Sequence, residues 1–258
     1  MRILGADFSG GKSPEITVVG GELCDGVLTI DTLRRCDDRL DLYAEIALSD
    51  APLLCGLDFP FRLPQQAMQR LGVEGLHELS LPLTRADFAE ALAERVGRYE
   101  GKCGAASLYC RETDADAGAY SGLKRVNPSL VAMLYAGSKL LWYLSAGGVA
   151  AYPLDVPAQK QVCEVYPSHT WARVGLARST DVRSFVAAFN ALNILHVVLP
   201  AECHVAGSQD IADSIVACIT TAAAQQIDRI YENWTSRPSF ATQAEWAVAH
   251  LEGIIVRL

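Results

Sequence analysis

Arg2-Ile3-Leu4-Gly5-Ala6-Asp7-Phe8-Ser9-Gly10-Gly11 is the stretch from which the fold is read. A short apolar run of this kind reads as a buried strand. It ends on a carboxylate, Asp7, where a glycine loop begins. The same ending recurs in Leu53-Leu54-Cys55-Gly56-Leu57-Asp58 and in Gln161-Val162-Cys163-Glu164. A fourth acidic segment, Asp210-Ile211-Ala212-Asp213-Ser214-Ile215-Val216-Ala217, places two aspartates three residues apart on one helical face. A lone carboxylate at a strand end is ordinary. Carboxylates at three strand ends, with a fourth source on a nearby helix, suit convergence on one cation site. That arrangement is the chemistry of metal-dependent phosphodiester hydrolysis or phosphoryl transfer.

Each acid also has a plain structural reading. Asp7 can accept amide bonds from Ser9 and Gly10 in an Asx-turn. Asp58 closes the most apolar short run of the chain, where an unpaired carboxylate is costly. Glu164 stands near the start of a helix at His169, where the macrodipole favours negative charge. Asp210 and Asp213 lie in a first helical turn, favoured on the same ground. Asp213 sits among Ile211, Ala212, Ile215 and Val216, so its burial calls for a partner. The small residues Ala212, Ser214 and Ala217 predict that this helix approaches the sheet closely.

Around these acids the strands and helices alternate. Strand patterns cover 2–8, 15–23, 26–34, 52–58, 149–152, 161–166 and Ile254-Ile255-Val256, and Cys24-Asp25-Gly26 is a hairpin signal. Helical spacing covers 39–49, 84–98, 128–145 and segments near 168–174, 181–193, 208–226 and 240–251. Alternation of this kind indicates an α/β fold. We read residues 1–258 as one domain with an insertion at about 59–127, whose polar part, 99–127, is a candidate lid.

Composition narrows the function. The chain has 258 residues, half of them hydrophobic and a fifth charged, enough for a full core. No apolar run reaches the roughly 18–20 residues of a membrane helix. The opening Met1-Arg2-Ile3 enters a strand with no secretory pattern, so a cytoplasmic protein without a membrane partner is expected. The net charge of −8 argues against broad binding to long nucleic acid but leaves room for a local basic rim. The eight cysteines form no Cys-x-x-Cys and no zinc spacing, and mostly buried thiols are expected, Cys55, Cys163 and Cys218 above all.

Three residues are candidates for substrate contact. Arg111 can hold phosphate in bidentate fashion and is preferred to Lys124 and Arg125. Lys12 follows the glycines of the loop after Asp7, a loop able to wrap a phosphate with backbone N–H groups. His169 is a candidate general base or proton donor.

The motifs Gly5-Ala6-Asp7-Phe8-Ser9-Gly10-Gly11, Gly56-Leu57-Asp58-Phe59-Pro60, Glu164-Val165-Tyr166-Pro167-Ser168 and Asp210-Ile211-Ala212-Asp213-Ser214 occur in this order. Together they resemble domain-of-unknown-function family 429, regarded as predicted nucleases with a ribonuclease H-like fold. The resemblance implies a five-stranded mixed sheet in the order 3-2-1-4-5. Its first three strands would be antiparallel, and its fourth and fifth parallel to the first. Asp7, Asp58 and Glu164 would then share one edge, with Asp213 and Asp210 supplied by the late helix. It further implies two Mg²⁺ or Mn²⁺ ions bridged by Asp7, with Asp58, Glu164 and Asp213 completing a catalytic cluster. The substrate would be nucleic acid, DNA or RNA being left open, as is a homo-oligomer. The chain departs from the pattern in carrying Asp-Ser where Asp-Ala is more usual. Its 59–127 insertion is also absent from minimal ribonuclease H domains. Two other readings compete. One is a phosphotransferase of the sugar-kinase and actin type, which would need a second glycine-rich adenosine motif. The other is a non-catalytic ribonuclease H-like protein used for binding or oligomerisation.

Overall fold

The computed structural model describes residues 1–11, 16–50, 52–178, 181–200 and 209–258. Along the chain run β1 (Arg2–Asp7), β2 (Ile16–Cys24), β3 (Val27–Cys36), α1 (Arg39–Ala47) and β4 (Leu53–Asp58). The insertion supplies α2 (Gln65–Leu71), α3 (His77–Ser80), α4 (Arg85–Arg95) and α5 (Glu112–Ala117). Then follow α6 (Leu130–Ala146), β5 (Val149–Tyr152), β6 (Lys160–Val165), α7 (Pro167–Arg173) and α8 (Val182–Asn190). The chain continues through β7 (His196–Val198), α9 (Gln209–Asp228), α10 (Gln243–Glu252) and β8 (Ile255–Val256).

These elements build an α/β protein with one mixed, mostly parallel sheet flanked by helices. The strand order is β5-β6-β4-β1-β2-β3-β7, with β8 also paired to β6. The five-strand expectation is corrected to eight strands among the described residues. Inside the sheet, β3-β2-β1-β4-β6 keeps the expected order and directions: antiparallel through β3, β2 and β1, then parallel from β1 through β4 to β6. The additional strands cover what would be bare edges. β7 pairs with β3. β5 pairs with Lys160–Cys163 of β6, and β8 takes over beside Glu164 and Val165. The β2–β3 hairpin turns through Asp25 and Gly26, both at positive φ, as a two-residue hairpin turn requires.

Side chains alternate across the sheet and feed two cores. Ile3, Leu54, Cys163 and Val165 face α7, α8 and α9. Leu4, Ala6, Cys55, Leu57 and Val162 face α1 and α6. A third apolar cluster ties the insertion to α6 through Val131 and Leu134, with Phe88 and Leu92 of α4 at its centre. Disulfide bonding corrects the expectation for two cysteines, because Cys103 and Cys110 are joined within the insertion. Cys55, Cys163 and Cys218 are buried thiols as expected, and Cys24 is an exposed one. Among the described residues no helix is long and apolar enough to cross a membrane.

Helix α9 lies unusually close to β1 and β4, and glycine makes this possible. A Cβ built on Gly5 would stand 2.1 Å from the Cys218 backbone nitrogen. One built on Gly56 would stand 2.1 Å from Thr221 Oγ1. The approach is locked at its top by Ser214, whose hydroxyl accepts the Asp7 N–H at 3.1 Å and donates to Asp210 O at 2.7 Å. Gly5→Ala should therefore destabilise the fold by about 2–3 kcal/mol, because backbone rather than a flexible side chain must give way. Urea denaturation checks this; an unmoved midpoint would mean that the helix does not sit this close.

Candidate active site at the sheet edge

The parallel β1–β4 register sets Asp7 directly beside Asp58. Each lies two residues after the glycine, Gly5 or Gly56, against which α9 packs, so both carboxylates emerge on that face. Phe8 and Phe59, the next residue of each strand, turn to the opposite face and pack with ring centroids 4.4 Å apart. Phe61 packs against Phe59 in a tilted arrangement, with centroids 5.1 Å apart. The first turn of α9 brings Asp210 into hydrogen-bonding contact with Asp7. Asp213, fully buried, stands one turn further along.

Asp213 is the best-satisfied member of the group. Its carboxylate accepts from Trp171 Nε1 at 3.1 Å, Gln209 Nε2 at 3.1 Å and Arg178 Nε at 2.8 Å, with a second contact from Arg178. Arg178 is half exposed, at 49%. Its pKa is raised by the hydrogen bond to Asp213, with Asp58 and Asp7 adding to the effect. Asp7 and Asp58 are less well provided for. Among the described residues neither carboxylate accepts a hydrogen bond from a nitrogen donor. Burial, then Asp213 and Asp210, push the Asp7 pKa up to about 7. Burial, then Asp7 and Asp213, push Asp58 well above the usual carboxylate range. Among the described residues at this face, the one guanidinium of Arg178 stands against Asp213, Asp58 and Asp7, so carboxylates outnumber cations.

Glu164 shares the edge but not the face. Its register partner is Leu57, the residue before Asp58, so it projects to the α6 side of the sheet. There it meets Arg111, which donates to Glu164 Oε1 at 2.5 Å and Oε2 at 2.7 Å. Arg111 also donates twice to Asp114, at 2.6 and 3.0 Å, and once to Glu252 O at 3.1 Å. Glu164 further accepts the Phe61 N–H at 2.9 Å. These contacts occupy all five guanidinium N–H groups. Burial lowers the Arg111 pKa, but the Asp114 and Glu164 carboxylates outweigh it and hold the group charged. The expectation that Arg111 holds phosphate is therefore corrected, because no donor is left. The register likewise separates Glu164 from the aspartates. Arg257 anchors this second centre from behind, binding Glu245 at 2.6 Å and also Asp116 of α5.

Both centres open into one cavity of about 850 Å³. Asp7, Asp58, Asp210 and Arg178 line it on one side, and Arg111, Asp114 and Glu164 on the other. Ala119 and Tyr120, from the segment read as a lid, form part of its wall. His169 does not reach the cavity. Its Nδ1 lies 3.4 Å from Ala117 O, burial lowers its pKa, and its charged neighbours are Arg257, Arg173 and Asp116. Lys12 lies outside the described residues. Arg178 escaped the sequence reading because it sits in a polar loop with no motif. Trp171 escaped it as an ordinary core aromatic of α7. Among the described residues no three His, Cys, Asp or Glu side chains converge closely enough to ligate one ion by themselves.

The raised Asp7 pKa has a consequence for stability. Burial and the neighbouring aspartates raise the folded-state Asp7 pKa to about 7, above the ordinary carboxylate range that it has in the unfolded chain. Between those limits the folded state binds more protons, so this contribution to stability falls as pH rises. In chelator, the wild type should lose several degrees of Tm between pH 5.5 and 8, and Asp7→Asn should lose less and be the more stable at pH 8. A scanning-calorimetry series tests this; equal pH slopes for the two proteins would contradict the charge crowding.

No family model, curated protein or solved structure matches the chain.

Proposed function

We propose that this protein is a metal-dependent phosphodiester hydrolase of ribonuclease H-like architecture, acting on nucleic acid. The observation that carries the reading is the in-register pair Asp7 and Asp58, crowded by Asp210 and Asp213 and short of positive charge. The core strand order β3-β2-β1-β4-β6 and the four ordered acidic motifs support the same reading.

The donor set fits a hard divalent cation. All of the donors are carboxylate oxygens, and Mg²⁺ is ordinarily held by one or two carboxylates, with water and substrate phosphate filling the remaining positions. Asp7 and Asp58 would hold the ion, with Asp210 next to them. A bound Mg²⁺ or Mn²⁺ would supply an activated water and stabilise charge on the phosphoryl oxygens. The remaining roles belong to the chain. Asp213 anchors Arg178, whose half-exposed guanidinium is left facing the cavity, where a phosphate oxygen can meet it. Phe8 and Phe59 back the two aspartates with apolar surface, which would strengthen their attraction to a bound cation. Glu164 and Arg111 form a rigid brace that fixes the opposite wall.

The test uses a simple phosphodiester, bis(p-nitrophenyl) phosphate, and short single-stranded and hybrid oligonucleotides, each with Mn²⁺. Asp58→Asn should fold and lose about a hundredfold or more of the wild-type rate. Glu164→Gln should instead lower Tm, because it weakens a buried ion pair, and should retain most of the rate per folded molecule. Equal activity in wild type and Asp58→Asn, or no activity in the wild type on any of these substrates, would overturn the proposal.

A further inference from the structure

The loop Ser9–Gly11 carries a second charged feature, of opposite sign to the aspartates. Arg39 donates to Ser9 O at 3.1 Å and to Gly11 O at 2.7 Å. Arg85 donates to Gly10 O at 3.2 Å. Two guanidinium groups therefore converge on three consecutive residues. They stand close enough that burial and then the charge of Arg85 lower the pKa of Arg39.

Three observations make this convergence costly unless something balances it. Among the described residues neither arginine has a carboxylate within ion-pair distance, although the chain carries eight more acidic than basic side chains and eight other arginines are ion-paired. The Nε of Arg39 is buried without a hydrogen-bond partner. Each arginine is also the first residue of its helix, α1 or α4, where the macrodipole disfavours a cation. The loop itself is firmly seated: a Cβ on Gly10 would come within 2.5 Å of the Ala132–Met133 backbone at the start of α6. Arg85, Ser9, Gly10 and Gly11 all line the cavity that the aspartates line.

We propose that Arg85, backed by Arg39 on the Ser9–Gly11 loop, is an anion subsite of the cavity that takes a second phosphate group of the substrate. The identity of that second group as part of a substrate rests on the hydrolase reading above; the anion site itself does not. Arg85 contacts the phosphate. Arg39 holds the loop and adds positive charge from behind. The opposed signs at the two stations give a phosphate chain a direction in the cavity: one phosphate meets the aspartate centre, and its neighbour meets Arg85.

The experiment is calorimetric titration of the full chain with inorganic phosphate in the presence of chelator. The wild type should bind phosphate saturably. Arg85→Gln should weaken binding about tenfold or more, Arg85→Lys should restore part of it, and Asp58→Asn should bind at least as well as wild type. Absence of saturable binding in the wild type, or equal binding in Arg85→Gln, would overturn the subsite. A second titration compares a dinucleotide, the same dinucleotide with a 5′-phosphate, and a trinucleotide. A gain from the terminal phosphate or from the extra internal linkage, lost in Arg85→Gln, supports the subsite and tells which kind of phosphate it takes. A gain from neither overturns its role toward substrate. No divalent ion is present in either titration, so failure of the hydrolase reading would leave these outcomes unaffected.

Discussion

The close approach of α9 to the β1–β4 pair is the constraint on which the site depends. Parallel pairing in register puts Asp7 and Asp58 side by side on one face. Gly5 and Gly56 let α9 settle against that face, and Ser214 pins its first turns to the end of β1. Asp210 and Asp213 are thereby carried to within electrostatic reach of the strand carboxylates. No loop rearrangement is needed to gather the charges. Their mutual repulsion is built into the packing and offset in part by Arg178.

The opposite side of the same edge solves the same problem differently. Glu164 and Asp114 are buried carboxylates too, but each is bonded by Arg111. In this buried ion pair every guanidinium N–H is used, and Arg111 compensates both carboxylates. Among the described residues, the charges of one wall are therefore paired, whereas on the other the carboxylates outnumber the cations. That asymmetry separates a structural acid from a candidate catalytic one here, where residue type and strand position alone do not.

Much of this was legible in the sequence. The apolar runs, the hairpin at Asp25-Gly26 and the small residues of α9 all carry local signals with one physical reading. The acids at the strand ends carry two readings each, structural and functional. Register carries no local signal. Glu164 lies one residue out of step with Asp58 across β4 and β6, and in a strand one residue exchanges the faces. Nothing within Gln161–Glu164 reports that offset, because it is set by the pairing partner. β7, with three residues, is too short for a periodic pattern, and its pairing with β3 depends on how the chain returns. The Cys103–Cys110 bond has no motif, since it depends on the path of the insertion. Arg111 looked like a free loop cation because Glu164 lies 53 residues away and nothing in the loop marks Asp114 as its partner. Only folding brings both carboxylates onto one guanidinium.

The central claim is that Asp7 and Asp58 form a cation site. Calorimetric titration of Mn²⁺ into metal-free wild type and Asp7→Asn tests it most directly, since the substitution preserves shape and removes charge. The account predicts saturable binding in the wild type, accompanied by proton release near neutral pH because Asp7 gives up its proton, with both signals lost in Asp7→Asn. No binding in the wild type, or binding unchanged in Asp7→Asn, would contradict it.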